Sequence, residues 1–279
     1  MGSPNFHIPP LRHSPIAHGA LHLHIRENLG VFMAEHRILD TEQGRHIAYH
    51  KTAGQGPTVV FLGGFKSDMA GTKAVWLEDW CRAKGRAFLR FDYSGHGVSS
   101  GAFEDGCIGD WAEDAEAVIR ATCDGPLVLV GSSMGGWISL MMAQRLGNIA
   151  GMVTIAAAPD FTEDGFWASF GETERDEVMQ QGYRDVPSEY GDPYRITRRL
   201  IEDGRTRLVL RSPLALPFPV RCVQGTNDTA VTRDTALRLL DHADCPDISL
   251  TFLKGADHSF SAPDCLPLIA RAIDEVSGL

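Results

Sequence analysis

One stretch near the middle of the chain constrains its fold more than any other. The apolar run Leu127–Val130 passes through Gly131-Ser132-Ser133-Met134-Gly135 directly into a second apolar segment, Trp137–Leu146. The first run has the length and content of a buried strand, the second the length of a helix. Only a glycine-rich turn separates them, so strand and helix must meet at a sharp corner and pack closely. Such a corner needs small residues two places before and two places after its tip. Centred on Ser133, those are Gly131 and Gly135; centred on Ser132, they would be Val130 and Met134, which are too large. The spacing therefore puts Ser133 at the tip.

On either side of this corner, strand and helix patterns alternate. His36–Asp40 and Arg45–Ala53 read as an antiparallel pair, and Thr58–Leu62 as a buried strand ending in Gly63-Gly64. A helix over Thr72–Lys84, a strand over Ala87–Phe91 and an amphipathic helix over Ile108–Cys123 come next, the last with Trp111, Ala115, Val118 and Ile119 inward. Strands at Met152–Ala157, Val220–Gln224 and Ile248–Leu253 and a helix at Leu266–Val276 complete the pattern. Apolar strands joined through helices predict an α/β fold with a mostly parallel sheet covered on both faces.

Two segments break the rhythm. Residues 160–219 are rich in charge and aromatics and carry two helical stretches, near Phe166–Gln181 and Tyr194–Glu202; they read as a helical cap inserted between core segments 36–159 and 220–279. Residues 1–35, with five histidines, several prolines and little periodicity, read as a flexible leader. A chain of 279 residues is long enough for one large core. Its net charge of -10 argues against nucleic acid and anionic membrane surfaces as partners, and no apolar run is long enough for a membrane span. The six cysteines form no C-x-x-C pair and show no zinc-ligand spacing, so no metal is expected and the thiols read as reduced, in keeping with a cytoplasmic protein.

The corner itself suggests chemistry. G-x-S-x-G after a strand and before a helix presents the serine as a nucleophile and sets the next backbone N–H, that of Met134, at a helix N-terminus where it can face an oxyanion. A glycine-rich turn without chemistry is the plainer alternative. A serine hydroxyl needs a base. After the corner the chain has only His242 and His258. His242 ends a short helix, whereas His258 follows the strand Ile248–Leu253, at the sheet edge where sites in parallel sheets collect. Asp228, directly after Val220–Gln224, is the expected acid to orient that base, with Asp160 as its rival. A second oxyanion donor is expected after Thr58–Leu62, at the Phe65 N–H.

Three local runs carry a resemblance along nearly all of the chain after His36. They are Gly63-Gly64-Phe65-Lys66-Ser67-Asp68-Met69, Phe91-Asp92-Tyr93-Ser94-Gly95-His96-Gly97 and Gly131-Ser132-Ser133-Met134-Gly135-Gly136-Trp137. The chain resembles the α/β-hydrolase superfamily, and within it bacterial relatives of the mitochondrial acyl-protein thioesterase that also cleaves acyl glucuronides. The resemblance implies an α/β-hydrolase fold and cofactor-free cleavage of carboxylic esters or acyl thioesters, with Ser133, Asp228 and His258 as the triad and Phe65 and Met134 as oxyanion donors. Its substrates would be small acyl esters or thioesters, or an acylated protein. Ser259-Phe260-Ser261 departs from the more basic run expected there, which leaves substrate choice open.

For substrate contact the sequence offers Phe161 and Trp167, with Phe166 and Phe170, as an acyl pocket, and Lys66 with Arg195, Arg198 and Arg199 toward an anionic leaving group. Core packing and a solvated surface are the competing readings for these two sets. A carbon–carbon bond hydrolase of diketones, a peptidase and a non-enzymatic receptor on the same fold are the competing functions, since the fold alone does not separate them.

Overall fold

A computed structural model of the protein describes residues 36–188 and 191–278. The leader expected over residues 1–35 lies outside them. The chain enters through an antiparallel pair, β1 (Arg37–Asp40) and β2 (His46–Thr52), and continues through β3 (Gln55–Leu62), α1 (Thr72–Ala83), β4 (Arg86–Phe91), α2 (Ile108–Thr122), β5 (Leu127–Ser132), α3 (Met134–Arg145) and β6 (Ile149–Ile155). After an intervening segment come β10 (Val220–Gly225), α6 (Arg233–His242), β12 (Ile248–Leu253) and α7 (Leu266–Val276). Eight strands form one sheet in the order β1-β2-β4-β3-β5-β6-β10-β12. From β4 to β12 every neighbouring pair is parallel, and β1 and β2 are the antiparallel exceptions.

Strand alternation decides which helices cover which face. In β3, Val59 and Phe61 point to the side that holds α1 and α7, while Val60 and Leu62 point to the side that holds α2 and α3. Strand β5 divides the same way, Val128 and Val130 against Leu127 and Leu129. Both sides are buried, so these strands are apolar throughout, not alternating. Each such side chain contributes about 1.5–3 kcal/mol relative to exposure. On α2 the inward residues are Trp111, Ala115, Val118 and Ile119, at the expected helical spacing.

The intervening segment departs from its expected all-helical form. It holds a π-helical turn, Thr162–Trp167, then α4 (Glu172–Gln181), an antiparallel hairpin of β7 (Tyr183–Ser188) and β8 (Gly191–Thr197), α5 (Arg198–Arg205) and the short β9 (Leu214–Ala215), which pairs with β11 (Ala243–Asp244). The expected helix over Phe166–Gln181 is cut at Gly171, whose N–H is taken by the Glu174 carboxylate at 2.9 Å in a capping arrangement that starts α4. The expected helix over Tyr194–Glu202 begins only at Arg198, where the Thr197 side chain caps it by accepting the Leu200 N–H at 3.1 Å. Tyr194 therefore lies on a strand.

All six cysteines are free thiols. Among the described residues no helix is long and apolar enough to cross a membrane.

Candidate active site

Among the described residues, five other than glycine have positive φ: Lys66, Ser133, Ala156, Asp160 and Phe260. All five lie in loops that follow the C-terminal ends of β3, β5, β6 and β12. Strained backbone of this kind persists where surrounding structure holds it, and it gathers at functional sites.

Ser133 stands between β5 and α3 with φ 54° and ψ -118°. Its N–H donates to the Ile155 carbonyl at 2.9 Å, and its carbonyl accepts from the Gly136 and Ala158 amides at 2.9 and 3.1 Å. The corner closes only because side chains are absent beside it. A Cβ on Gly131 would overlap the Gly135 carbonyl, one on Gly135 would overlap the Leu62 carbonyl, and one on Gly136 would sit 2.6 Å from the Ala157 Cβ.

His258 reaches this serine from the loop after β12. Its Nε2 lies 3.0 Å from Ser133 Oγ, and its Nδ1 lies 2.8 Å from Asp228 Oδ2. Asp228 comes from the loop after β10, the neighbour of β12 in the sheet, so parallel pairing itself brings the two side chains together. The Asp228 carboxylate is nearly sealed, with 1% of its side chain exposed. Gln224 Nε2 and the Ala230 and Val231 amides complete its shell at 2.8, 2.9 and 2.8 Å. Burial pushes its pKa up, but the donors from His258, Val231 and Gln224 outweigh burial and hold it below the usual carboxylate value. Asp160 instead accepts the Val209 and Leu210 amides at 2.8 and 3.1 Å and pairs with Arg211 at 2.7 Å. His242 donates to or accepts from nothing near Ser133; its Nε2 sits against the Ser212 carbonyl at 2.9 Å.

The loop after β3 passes beside the serine. A Cβ placed on Gly64 would lie 3.4 Å from the Ser133 Cβ, so this backbone runs in contact with the corner. Phe65 follows, then Lys66 with φ 57°, whose N–H points at His96 Nε2 at 3.2 Å. Met134 opens α3, where the first amides have no carbonyl partner within the helix.

A cavity of about 660 Å³ opens over the serine and histidine. Phe65, Phe161, Phe166, Tyr194, Ala158 and Val231 give it an apolar side; Lys66, Ser67, Asp68, Lys73, Ser259 and Ser261 give it a polar one. Lys73, in the first turn of α1, donates to the Ser259 carbonyl and lies 3.4 Å from Ser261 Oγ, so it bridges α1 to the turn that carries His258. Burial pushes its ammonium down to about 8, against the nearby Asp257 and Cys265.

The chain matches the alpha/beta hydrolase family over residues 59–272. The chain belongs to the alpha/beta hydrolase family. Human palmitoyl-protein thioesterase ABHD10, mitochondrial, is 32% identical over 234 residues, spanning 83% of this chain and 76% of its own length. Mouse alpha/beta hydrolase domain-containing protein 10 matches in structure with a TM-score of 0.81 at 30% identity, over 87% of this chain and 98% of that one. A crystal structure of an Agrobacterium vitis protein matches with a TM-score of 0.83 at 39% identity, again over 87% and 98%.

In this hydrolase the residues expected to touch substrate divide. Phe161 and Lys66 line the cavity. Trp167 is not among the lining residues; the guanidiniums of Arg205 and Arg175 lie over its indole, 4.3 and 5.3 Å from the ring centre. Arg195, Arg198 and Arg199 do not line the cavity and pair with Asp185, Glu202 and Asp110 at 2.9, 2.7 and 2.6 Å. Sequence reading missed Lys73 and Tyr194. The signal for Lys73 was its position: a cation in the first turn of a helix opposes the helix dipole, so it needs a compensating partner. Tyr194 was hidden by the helix expected there.

Proposed function

We propose that this hydrolase cleaves carboxylic esters or acyl thioesters through an acyl-enzyme on Ser133. The observation that carries the proposal is the unbroken line from Ser133 Oγ to His258 Nε2 at 3.0 Å and from His258 Nδ1 to Asp228 at 2.8 Å, anchored on a strained serine. A neutral imidazole that donates Nδ1–H to Asp228 leaves its Nε2 lone pair facing the serine hydroxyl. His258 removes the hydroxyl proton as Ser133 Oγ attacks the acyl carbonyl. Asp228 stays ionised and stabilises the imidazolium. The tetrahedral oxygen takes the N–H groups of Phe65 and Met134, each worth roughly 3 kcal/mol of barrier. As the intermediate collapses, His258 returns the proton to the departing sulfur or oxygen. Water, activated by the same imidazole, then attacks the ester on Ser133 and releases the acid.

The chemistry requires no metal or cofactor. The thioester branch draws support from relatives named as palmitoyl-protein thioesterases. An acyl chain would lie along Phe161, Phe166 and Val231, and the leaving group would pass toward Lys66 and Lys73. Residues 160–219, which supply Phe161, Phe166 and Tyr194, serve in this reading as a cap over a core of residues 36–159 and 220–279. Six free thiols fit a reducing compartment, and we place the enzyme in the cytoplasm, whereas its mammalian relatives are named as mitochondrial.

The test is a panel of acyl thioesters, p-nitrophenyl esters, a vinylogous diketone and a peptide, each of matched acyl size. Turnover of thioesters and esters with a burst of leaving group supports the proposal. Turnover confined to the diketone, or none in a folded sample, would overturn it.

A further inference from the structure

The run Asp92-Tyr93-Ser94-Gly95-His96-Gly97 lies outside the triad, yet it meets the loop after β3 at two points. Asp92 Oδ1 accepts the Met69 N–H at 2.6 Å, and His96 Nε2 accepts the Lys66 N–H at 3.2 Å. The second contact falls one residue beyond Phe65. We propose that His96 is a positioning residue for the oxyanion hole: by accepting the Lys66 N–H it fixes the left-handed turn at Lys66 and so aims the preceding Phe65 N–H at the developing oxyanion. This inference rests on the serine-hydrolase reading above.

Several independent features hold His96 for this task. Its Nδ1 lies 3.1 Å from the Ser94 carbonyl, which can only accept, so the proton resides on Nδ1 and Nε2 is free to accept in turn. The ring is 3% exposed and packs edge-on against Tyr93, Phe103 and Trp111 at 5.5, 5.1 and 5.1 Å. Burial pushes the imidazole down to about 4, so it remains a neutral acceptor at ordinary pH. The glycines around it are required: Gly95 has φ 72° and a Cβ there would lie 2.7 Å from the Ala102 carbonyl oxygen, while a Cβ on Gly97 would overlap the Asp92 carboxylate. The same aromatic packing continues into Phe65, whose ring stacks edge-on with Phe103 at 4.8 Å and Trp111 at 5.9 Å. Side chain and backbone of the oxyanion loop are thus both referred to the His96 pocket. A lysine at φ 57° carries strain that a glycine would not, and the Lys66–His96 hydrogen bond offsets it.

The first test needs no variant. Long-range proton–nitrogen correlation spectra of the wild-type enzyme report which nitrogen of His96 is protonated. The inference expects Nδ1–H with Nε2 bare; a proton on Nε2 would leave nothing to accept the Lys66 N–H and would overturn it. The second test compares H96F, which keeps an aromatic ring but removes the acceptor, with H96Q, whose amide oxygen can accept. H96F should lower kcat about 10–100-fold with KM within about threefold, because the lost stabilisation belongs to the transition state. Inhibition by an acyl trifluoromethyl ketone, which forms the tetrahedral adduct, should weaken in the same proportion, and H96Q should recover most of both. An H96F enzyme with kcat within about twofold of wild type, or an H96Q enzyme as impaired as H96F at equal stability, would overturn the inference. A wild-type enzyme that neither turns over acyl substrates nor labels at Ser133 would instead defeat the serine-hydrolase reading, and the tautomer measurement would still decide the His96 contact.

Discussion

Asp228 and Asp160 both follow the ends of neighbouring strands, β10 and β6, and their surroundings give them different work. Asp228 offers one oxygen to His258, while Asp160 is spent on two backbone amides and Arg211. Asp228→Asn should cut kcat by about 10⁴-fold with little change in melting temperature, because the amide favours the wrong imidazole tautomer. Asp160→Asn should do the reverse: kcat within about tenfold of wild type, and a loss of about 1–2 kcal/mol on urea unfolding, because a buried acceptor of two backbone amides is weakened while the exposed Arg211 keeps Asp164 as a partner. Equal kinetic losses in the two variants would contradict the assignment. His96 makes a pH prediction at the same scale. The unfolded imidazole binds its proton near 6.5 and the folded one near 4. Between those values the unfolded chain holds the extra proton, so the His96 contribution is complete above about pH 6.5 and falls away as acid is added, by about 3 kcal/mol at the limit. Unfolding free energies of wild type and H96Q, measured from pH 7 to pH 4, should converge toward the acid end; parallel curves would contradict the burial argument.

At the level of the element, the corner between β5 and α3 tolerates no Cβ at Gly135, which would overlap the Leu62 carbonyl. Gly135→Ala should therefore destabilise the fold by about 3 kcal/mol or more, seen as a melting temperature lower by roughly 10 °C. Unchanged melting would show that the corner can relax. This corner was legible in the sequence because its requirement is steric and local: two glycines at fixed spacing selected Ser133 over Ser132 without any knowledge of the fold. The hairpin β7–β8 was not legible. Its strands carry adjacent charges, Arg184-Asp185, and a proline each, Pro187 and Pro193, and it merges at Thr197 into α5, so a helical pattern starting at Tyr194 looked continuous. The capping residues Gly171 and Thr197 were the overlooked stops. Asp228 and His258 were placed by strand order, which sequence supplies; Lys73 and the His96 contact join segments far apart in the chain, and no local pattern announces them.

Across the whole molecule, a parallel sheet delivers the ends of β3, β5, β10 and β12 to one edge, and the segment between β6 and β10 lies against that edge. Asp164 pairs with Arg211 inside this segment and ties the segment to later chain through Arg238, on α6, at 2.6 Å. Phe166 belongs to the same segment and lines the cavity. If that apolar wall receives the acyl chain, Phe166→Ala should raise KM for a long-chain thioester about tenfold relative to a short-chain one, with kcat for the short substrate little changed. A uniform effect on both lengths would mean that Phe166 only packs the segment in place.

The central claim, that Ser133 is an activated nucleophile served by His258 and Asp228, is tested most directly by a fluorophosphonate probe with peptide mapping of the adduct. The account predicts a single adduct on Ser133 in the wild-type protein, none in Ser133→Ala, and labelling slowed by orders of magnitude in Asp228→Asn. A folded wild-type protein that stays unlabelled, or an adduct on Ser132 or elsewhere that survives Ser133→Ala, would contradict it.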